Sequence, residues 1–230
     1  MKEMMMCSIC YGKETRDIAI PSENLIKILT PKDSDGCGDE TALLREALEH
    51  PTASRRLREM ARPGMKVSII ADDITRATPT RMMLPLVLEE LRAGGIGDKD
   101  ITVVFATGSH RRHTMEEKER LIGGRSILEA IRIVDHNAFD EAQLVNMGVT
   151  TRGTPVHINK WVADSDLKVM LGLIKPHCVA GYTGGGKSIL PGVSSINTII
   201  ADHNYTATAH PLSIIGVIDG NPIRSDIEDA

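Results

Sequence analysis

The stretch Lys66-Val67-Ser68-Ile69-Ile70-Ala71 runs directly into the polar residues Asp72-Asp73-Ile74-Thr75-Arg76. Its first part is short, apolar, rich in β-branched side chains and preceded by Pro63-Gly64, which predicts a buried strand. A second stretch has the same layout, because Ile101-Thr102-Val103-Val104-Phe105-Ala106 leads into Thr107-Gly108-Ser109-His110. Two buried strands that each end in a polar loop are typical of an α/β fold.

Helical and strand-like segments alternate along the rest of the sequence. We predict a helix over 81–92 with Pro85 in its first turn and Gly94-Gly95 at its end, a helix capped by Thr114 and Glu117, strands over 131–134 and 167–174, and a helix from Ser194 to about Thr206. This alternation predicts an α/β, Rossmann-like three-layer domain with a mainly parallel sheet. Ligands of such sheets bind outside the carboxyl ends of the strands, so the loops 72–76, 107–110 and 175–187 are candidates for one site.

Composition excludes several classes of protein. The 230 residues carry a formal net charge of −4, so no electrostatic footprint for nucleic acid is present. No apolar run approaches the roughly 20 residues that span a bilayer, and the N-terminus does not resemble a signal peptide, so we expect no membrane association and a cytoplasmic location. Cys7 and Cys10 form an isolated C-x-x-C pair, while Cys37 and Cys178 stand alone. A structural zinc site needs about four ligands, so we expect no metal role for the pair.

The segment Gly181-Tyr182-Thr183-Gly184-Gly185-Gly186-Lys187-Ser188 fits the phosphate-binding P-loop pattern. Its surroundings do not fit, because that loop must join a buried strand to a helix. Lys175-Pro176-His177-Cys178 separates the glycines from the preceding apolar run, and Pro191-Gly192 would interrupt the helix. Lys187 therefore needs another explanation: a solvated lysine, a contact to an anion, or a point of covalent attachment.

Three of the eight histidines are candidates for chemistry: His110, His177 and His203. His113 and His136 are interpreted as structural or surface residues. Histidine suits acid–base work because its ordinary pKa of about 6.5 lies near neutrality. The loop from Asp72 to Arg76 is compatible with a helix cap and equally with anion recognition through the Arg76 guanidinium.

At the end of the chain Asn221-Pro222 predicts the start of a helix, with Asn221 as its N-cap. No C-terminal cap follows. We therefore expect the chain to be part of a longer protein with a further domain.

Several of these segments together resemble the N-terminal domain of nickel-dependent lactate racemases. The most specific is the block from Pro176 to Gly192, and the resemblance extends over nearly the whole chain, 1–230. Ala77, Ser109 and Gly186 depart from the residues common in that family, but none of them removes a reactive group. The other matching segments are Asp73-Ile74-Thr75-Arg76, Thr107-Gly108-Ser109-His110-Arg111, Gly148-Val149-Thr150-Thr151-Arg152-Gly153-Thr154-Pro155, Ala163-Asp164-Ser165-Asp166-Leu167, Asp202-His203-Asn204 and Asn221-Pro222.

The resemblance implies a role for each candidate residue. Lys187 corresponds to the lysine that covalently anchors a nickel-pincer nucleotide, and His203 to the protein ligand of nickel. His110 and His177 correspond to two acid–base histidines. The cofactor-binding loop would comprise Asp73, Ile74, Thr75 and Arg76.

The implied function is interconversion of the enantiomers of a 2-hydroxy acid by proton-coupled hydride transfer to the cofactor. Expected partners are the hydroxy acid, the C-terminal domain of the family, which lies outside this chain, and the enzymes that mature the cofactor. Without that domain we expect little or no activity. Three alternatives remain: a P-loop-like nucleotide-binding domain, a non-catalytic domain that carries the same cofactor, and a zinc hydrolase that uses the histidines. The identity of the hydroxy acid stays open.

Overall fold

The structure, a computed structural model, describes residues 3–29 and 38–230. The strands of this part of the chain are β1 (Met4–Tyr11), β2 (Glu14–Pro21), β3 (Val67–Asp72), β4 (Ile101–Ala106), β5 (Arg132–Asp135), β6 (Leu144–Val149), β7 (Pro155–Asn159), β8 (Leu167–Leu171), β9 (Pro176–His177) and β10 (Gly181–Tyr182). The helices are α1 (Glu40–Glu49), α2 (Leu57–Met60), α3 (Thr80–Ala93), α4 (Met115–Ile122), α5 (Arg125–Ala130), α6 (Lys160–Ala163), α7 (Ile196–Asp202), α8 (Tyr205–Thr208) and α9 (Pro222–Asp229).

A four-stranded parallel sheet in the order β5-β4-β3-β8 forms the centre of the fold. Successive strands β3, β4 and β5 step in one direction, and β8 returns to the other side of β3, so the strand order reverses between β3 and β8. The predicted α/β, Rossmann-like class is confirmed. Strand β4 has the predicted bounds, whereas β8 is shorter than predicted and ends at Leu171.

Apolar side chains cover both faces of the sheet because consecutive strand residues point to opposite sides. Ile69 and Val103 pack on one face with Leu84 and Leu88 of α3. On the other face, Ile70 packs in a separate cluster that includes Val104, Val156, Ile158 and Val162. A fully buried aliphatic side chain stabilises a fold by roughly 1.5–3 kcal/mol, so this double covering holds the strands and their polar end loops in place.

Helix α3 starts one residue earlier than predicted. Pro85 therefore lies in its second turn, and the prediction of a first-turn proline was wrong. A proline there leaves the Arg81 carbonyl without its usual helical donor. The backbone of Gly123 lies beside this carbonyl, where a Cβ would come within 2.8 Å of the oxygen. The predicted end of the helix at Gly94-Gly95 and the capping box of Thr114 and Glu117 are confirmed.

The predicted helix over 194–206 was wrong, because two short helices occupy this stretch. Helix α7 ends at Asp202, and His203 is its C-terminal cap residue. The side chain of Asn204 then accepts a hydrogen bond from the Ala207 amide and starts α8. Asn221 caps α9 as predicted.

The chain divides into two compact units, residues 1–40 and 41–230. The first contains the antiparallel hairpin of β1 and β2, which the sequence did not lead us to predict. Cys7 and Cys10 both lie on β1 at positions that point to opposite faces of the strand, so they do not form a chelating pair. Cys37 lies outside the described residues.

Candidate active site

A cleft of about 230 Å³ opens at the carboxyl ends of β3, β4 and β8. This is the edge of the sheet where ligands of open α/β folds bind, next to the reversal of strand order. The cleft is lined by residues of the segments 72–76, 106–110 and 183–192, together with Ile199 and His203. The three loops that the sequence suggested therefore meet at one place.

His110 lies at the cleft with an orienting carboxylate. Its Nδ1 is 2.7 Å from Oδ2 of Asp73, which is buried, while the imidazole itself is half exposed. The other oxygen of Asp73 accepts hydrogen bonds from the amide and the hydroxyl of Thr75, at 3.1 and 2.6 Å. In the neutral ring, an Nδ1–H that donates to this carboxylate leaves Nε2 with a free lone pair. His110 is thus arranged as a base.

His113 supports this loop from behind. It is buried, and its Nε2 accepts a hydrogen bond of 3.1 Å from the Ile74 amide. Its Nδ1 lies 2.7 Å from Asp135, which also pairs with Lys118. Burial opposes ionisation of Asp135, but the hydrogen bonds from His113 and Lys118 outweigh it and lower the pKa of the carboxyl. His113 is therefore structural, as predicted.

Among the four residues predicted to bind a cofactor around position 74, only two line the cleft. Asp73 and Arg76 do so, whereas the side chains of Ile74 and Thr75 do not. The Arg76 guanidinium is exposed and has no ion-pair partner within the described residues. It is therefore available for an anionic group of a ligand.

Lys187 is buried, with 9% of its surface exposed, and it lines the cleft from a 3-10 turn over Gly185–Ser188. Burial lowers the pKa of its amine to about 8, and the positive charge of Arg76 adds to this effect, while the carboxyl of Asp202 opposes it. At pH 7 a pKa of about 8 leaves roughly a tenth of the amine unprotonated, which is the form in which a lysine can act as a nucleophile.

The glycine-rich segment is not a P-loop. Strand β8 ends at Leu171, and the β9–β10 hairpin stands between it and the glycines. A 3-10 turn follows instead of the long helix that a P-loop opens. Gly192 then packs so closely that a Cβ would collide with the Ser188 carbonyl oxygen, and its own carbonyl accepts a hydrogen bond from the Gly108 amide.

His203 reaches the cleft from the end of α7, with a buried carboxylate behind it. Its Nδ1 lies 2.7 Å from Oδ2 of Asp202, which is 0% exposed. The two groups are close without being aligned, because Nδ1 and both oxygens of Asp202 lack a hydrogen-bond partner within the described residues. Burial raises the pKa of Asp202, although the neighbouring His203 lowers it. If Nδ1–H donates to this carboxylate, Nε2 is left free to act as a ligand.

His177 differs from the other two histidines. It is half-buried in β9 and, unlike His110 and His203, is not among the residues that line the cleft. Its Nδ1 accepts hydrogen bonds from the amides of Val179 and Ala180, at 3.3 and 3.2 Å. Burial lowers its pKa to about 4, helped by the positive charges of Lys187, Arg76 and His203. The ring is therefore neutral near pH 7 and carries its proton on Nε2, which makes it a hydrogen-bond donor.

Comparison with known proteins decides the family. Residues 11–216 match the sequence profile of the lactate racemase N-terminal domain. The chain belongs to this family.

Two curated lactate racemases are close relatives. That of Thermoanaerobacterium thermosaccharolyticum is 33% identical, and that of Lactiplantibacillus plantarum 32% identical, each over 97% of this chain and 53% of the relative. The solved structure of the Thermoanaerobacterium lactate racemase apoprotein superposes with a TM-score of 0.83 over 97% of this chain and 52% of that one. A Thermotoga maritima protein with 22% identity and a TM-score of 0.68, matched over 81% of this chain and 46% of its own, shares the fold. The chain spans about half the length of its curated relatives.

This lactate racemase N-terminal domain offers a metal very few protein donors. Within the described residues no three His, Cys, Asp or Glu side chains form a metal-binding group. In the same part of the chain, none of the helices has the length and apolar character that crossing a membrane demands.

Sequence interpretation was correct for one further histidine and incomplete for two carboxylates near the site. His136 was expected to be structural, and it is: Nε2 lies 2.9 Å from the Ser194 carbonyl, and burial lowers its pKa to about 4. Asp202, by contrast, was noted only as part of a matching segment. Its position next to His203, at the end of an apolar helix, was the available signal. The orienting role of Asp73 toward His110 also emerges only from the structure.

Proposed function

We propose that this chain forms the cofactor-binding and catalytic half of a lactate racemase, acting on a small 2-hydroxy acid. The observation that carries the proposal is the meeting in one cleft of a carboxylate-oriented histidine (His110), a buried lysine with a lowered pKa (Lys187) and a second histidine (His203). The two curated relatives named lactate racemase support it. Since the chain covers half their length, the complete enzyme would include the domain that they carry in addition.

The donor set fits the nickel-pincer nucleotide that the family resemblance implies. One imidazole cannot hold a metal alone, so a cofactor that brings its own metal ligands suits His203. Lys187 would be the covalent anchor, because its amine is partly unprotonated and opens into the cleft. Arg76 would pair with an anionic group of the nucleotide or the substrate. When bound, this cofactor would supply a reversible acceptor for hydride.

His110 would take the proton of the substrate hydroxyl at Nε2. The carboxylate of Asp73 fixes the ring and stabilises the imidazolium that forms. A base positioned in this way accelerates a reaction by typically 10²–10⁴-fold. Thr75 holds Asp73 and so contributes indirectly.

His177, which does not line the cleft in this structure, would serve the other enantiomer. In the observed state its Nε2–H can donate a hydrogen bond to a substrate oxygen. To accept a proton at Nε2, the ring must give up the hydrogen bonds from Val179 and Ala180 to Nδ1. The two histidines are therefore not equivalent in the resting protein.

The test uses the complete protein, produced together with the cofactor-maturation enzymes and nickel. We expect intact mass spectrometry to show an adduct on Lys187 that is absent in Lys187→Ala, and lactate racemisation that falls at least about 100-fold in Asp73→Asn. Glu129→Gln, a charge change in an exposed ion pair on α5, is the control. Binding of Mg-ATP without an adduct would overturn the proposal in favour of a nucleotide-binding domain. Full racemisation in His110→Gln would overturn the role of His110.

A further inference from the structure

One matching segment, residues 150–154, takes no part in the chemistry proposed above. It forms the turn between β6 and β7 and does not line the cleft. Its side chains instead surround a carboxylate of α9. Thr150 Oγ1 donates a hydrogen bond of 2.7 Å to Oδ1 of Asp226, and Thr154 Oγ1 donates one of 2.8 Å to Oδ2. Nε of Arg152 lies 3.4 Å from the same Oδ2. We call Thr150, Arg152, Thr154 and Asp226 the Asp226 latch.

The Asp226 latch is a buried arrangement. Asp226 is 2% exposed, and both threonines are also buried. An ionised carboxylate in such a place is tolerated only when it is paired and hydrogen-bonded, which these three residues accomplish. The turn is rigid as well, because the hydroxyl of Thr150 accepts a hydrogen bond from the Thr154 amide and the two backbones are also bonded. The latch therefore fixes α9 to the β6–β7 turn.

Helix α9 in turn holds the segment that carries Lys187. At the start of the helix, Asn221 Nδ2 donates a hydrogen bond of 2.8 Å to the Val179 carbonyl. Near its end, Ile227 covers Gly186: a Cβ on that glycine would lie 2.9 Å from Cγ2 of Ile227 and 3.0 Å from its carbonyl oxygen. Gly186 immediately precedes Lys187, so the contact restricts the backbone next to the lysine.

The supported segment has little regular structure of its own. Residues 176–188 contain two two-residue strands and one 3-10 turn, and Gly184 and Gly185 adopt positive φ angles. Glycines in such conformations leave the backbone many alternatives in the absence of outside support. Helix α9 supplies this support through Asn221 and Ile227.

We propose that Asp226 is a positioning residue, which acts through α9 to hold Lys187 in the geometry that the cleft requires. The inference rests on the proposed function only for the role of Lys187 as a cofactor anchor. The contacts described above are independent of any cofactor. Asp226 itself does not line the cleft. The threonine-rich turn would thereby contribute to cofactor anchoring from a distance.

Hydrogen exchange measured by mass spectrometry tests the proposal without cofactor. In Asp226→Ala we expect exchange in peptides covering 181–190 to accelerate about tenfold or more, while peptides covering β4 keep their wild-type rate. The pair Thr150→Val/Thr154→Val removes both hydroxyl donors without altering α9, and it should give the same pattern. Thr150→Ser/Thr154→Ser keeps the hydroxyls and should restore wild-type exchange. Glu129→Gln is the control, because Glu129 pairs with Arg125 on the exposed surface of α5 and so removes a carboxylate charge away from α9 and the Lys187 segment.

A second measurement separates positioning from general stability. The rate of reductive methylation of Lys187 in the folded protein should change in the latch variants and stay constant in Glu129→Gln. If Asp226→Ala does not fold, the variant Thr150→Val/Thr154→Val provides the test. Wild-type exchange over 181–190 in a folded latch variant, or an equal rise over β4, would overturn the proposal. A latch effect in a protein whose Lys187 never takes an adduct would support the latch and refute the proposed function alone.

Discussion

The amine of Lys187 should titrate far below an ordinary lysine. Its pKa is lowered from 10.5 to about 8, chiefly by burial. At pH 7 these values correspond to about 0.03% unprotonated amine for the ordinary group and about 10% for Lys187, a difference of roughly 300-fold. Because only the unprotonated amine attacks an electrophile, this fraction decides whether Lys187 can become an anchor near neutral pH.

The pKa of the Lys187 amine can be measured by chemical labelling across a pH series. Protein is exposed briefly to an acylating reagent at each pH, digested, and the labelled fraction of the Lys187 peptide is read by mass spectrometry. We expect the rate to level off above a midpoint near pH 8 in the folded protein. In guanidinium chloride, where burial is lost, the midpoint should return to about 10.5. The midpoint is more informative than the absolute rate, since the reactivity of an amine also falls with its basicity.

A midpoint at or above about 10 in the folded protein would refute the reasoning, because burial would then have no effect on the amine. The same would follow if guanidinium chloride left the midpoint unchanged. A folded-state midpoint near 8 would confirm the lowered pKa. The anchor role would then be decided by the search for an adduct on Lys187.

Three further predictions concern residues around the site and the core. Asp202→Asn should lower the labelling midpoint of Lys187, since the carboxyl of Asp202 raises the pKa of that amine; the same labelling series checks it. Gly192→Ala should destabilise the fold by at least about 2 kcal/mol in urea unfolding, because its Cβ would collide with the Ser188 carbonyl. Burial opposes ionisation of Glu90, but hydrogen bonds from two arginines outweigh it and lower its pKa from 4.5 to about 2, a shift equivalent to roughly 3 kcal/mol. Unfolding curves should show this stability present above pH 4.5, lost as pH falls towards 2, and absent in Glu90→Gln.

The strands of the sheet were predictable because their signals are local. The run from Lys66 to Ala71 and the run from Ile101 to Ala106 are each continuous, β-branched and closed by polar residues, and both became central strands. The helix over 194–206 failed for an equally local reason. Asn204 is a strong N-cap residue, and it ends one helix and starts the next.

The site was predictable only where it depends on strand ends. His110 and Lys187 meet because the loops after parallel strands share an edge of the sheet. Carboxylates at the site could not be assigned in this way. A buried aspartate and a solvated one have the same letter in a sequence, and the partners of Asp226 lie more than seventy positions away, at Thr150 and Thr154. One sequence carries no signal for such a pairing.

The electrostatics of the cleft explain why its lysine can remain reactive while ligands bind. Arg76 and Lys187 supply positive charge, and the aspartates nearby, Asp73 and Asp202, are buried. An anion that pairs with Arg76 would cancel one of the charges that lower the pKa of Lys187. Burial is the largest cause of the shift, however, and a bound ligand would increase it by excluding water. The burial of Lys187 therefore does more than hold the side chain in place, because it keeps part of the amine unprotonated near pH 7.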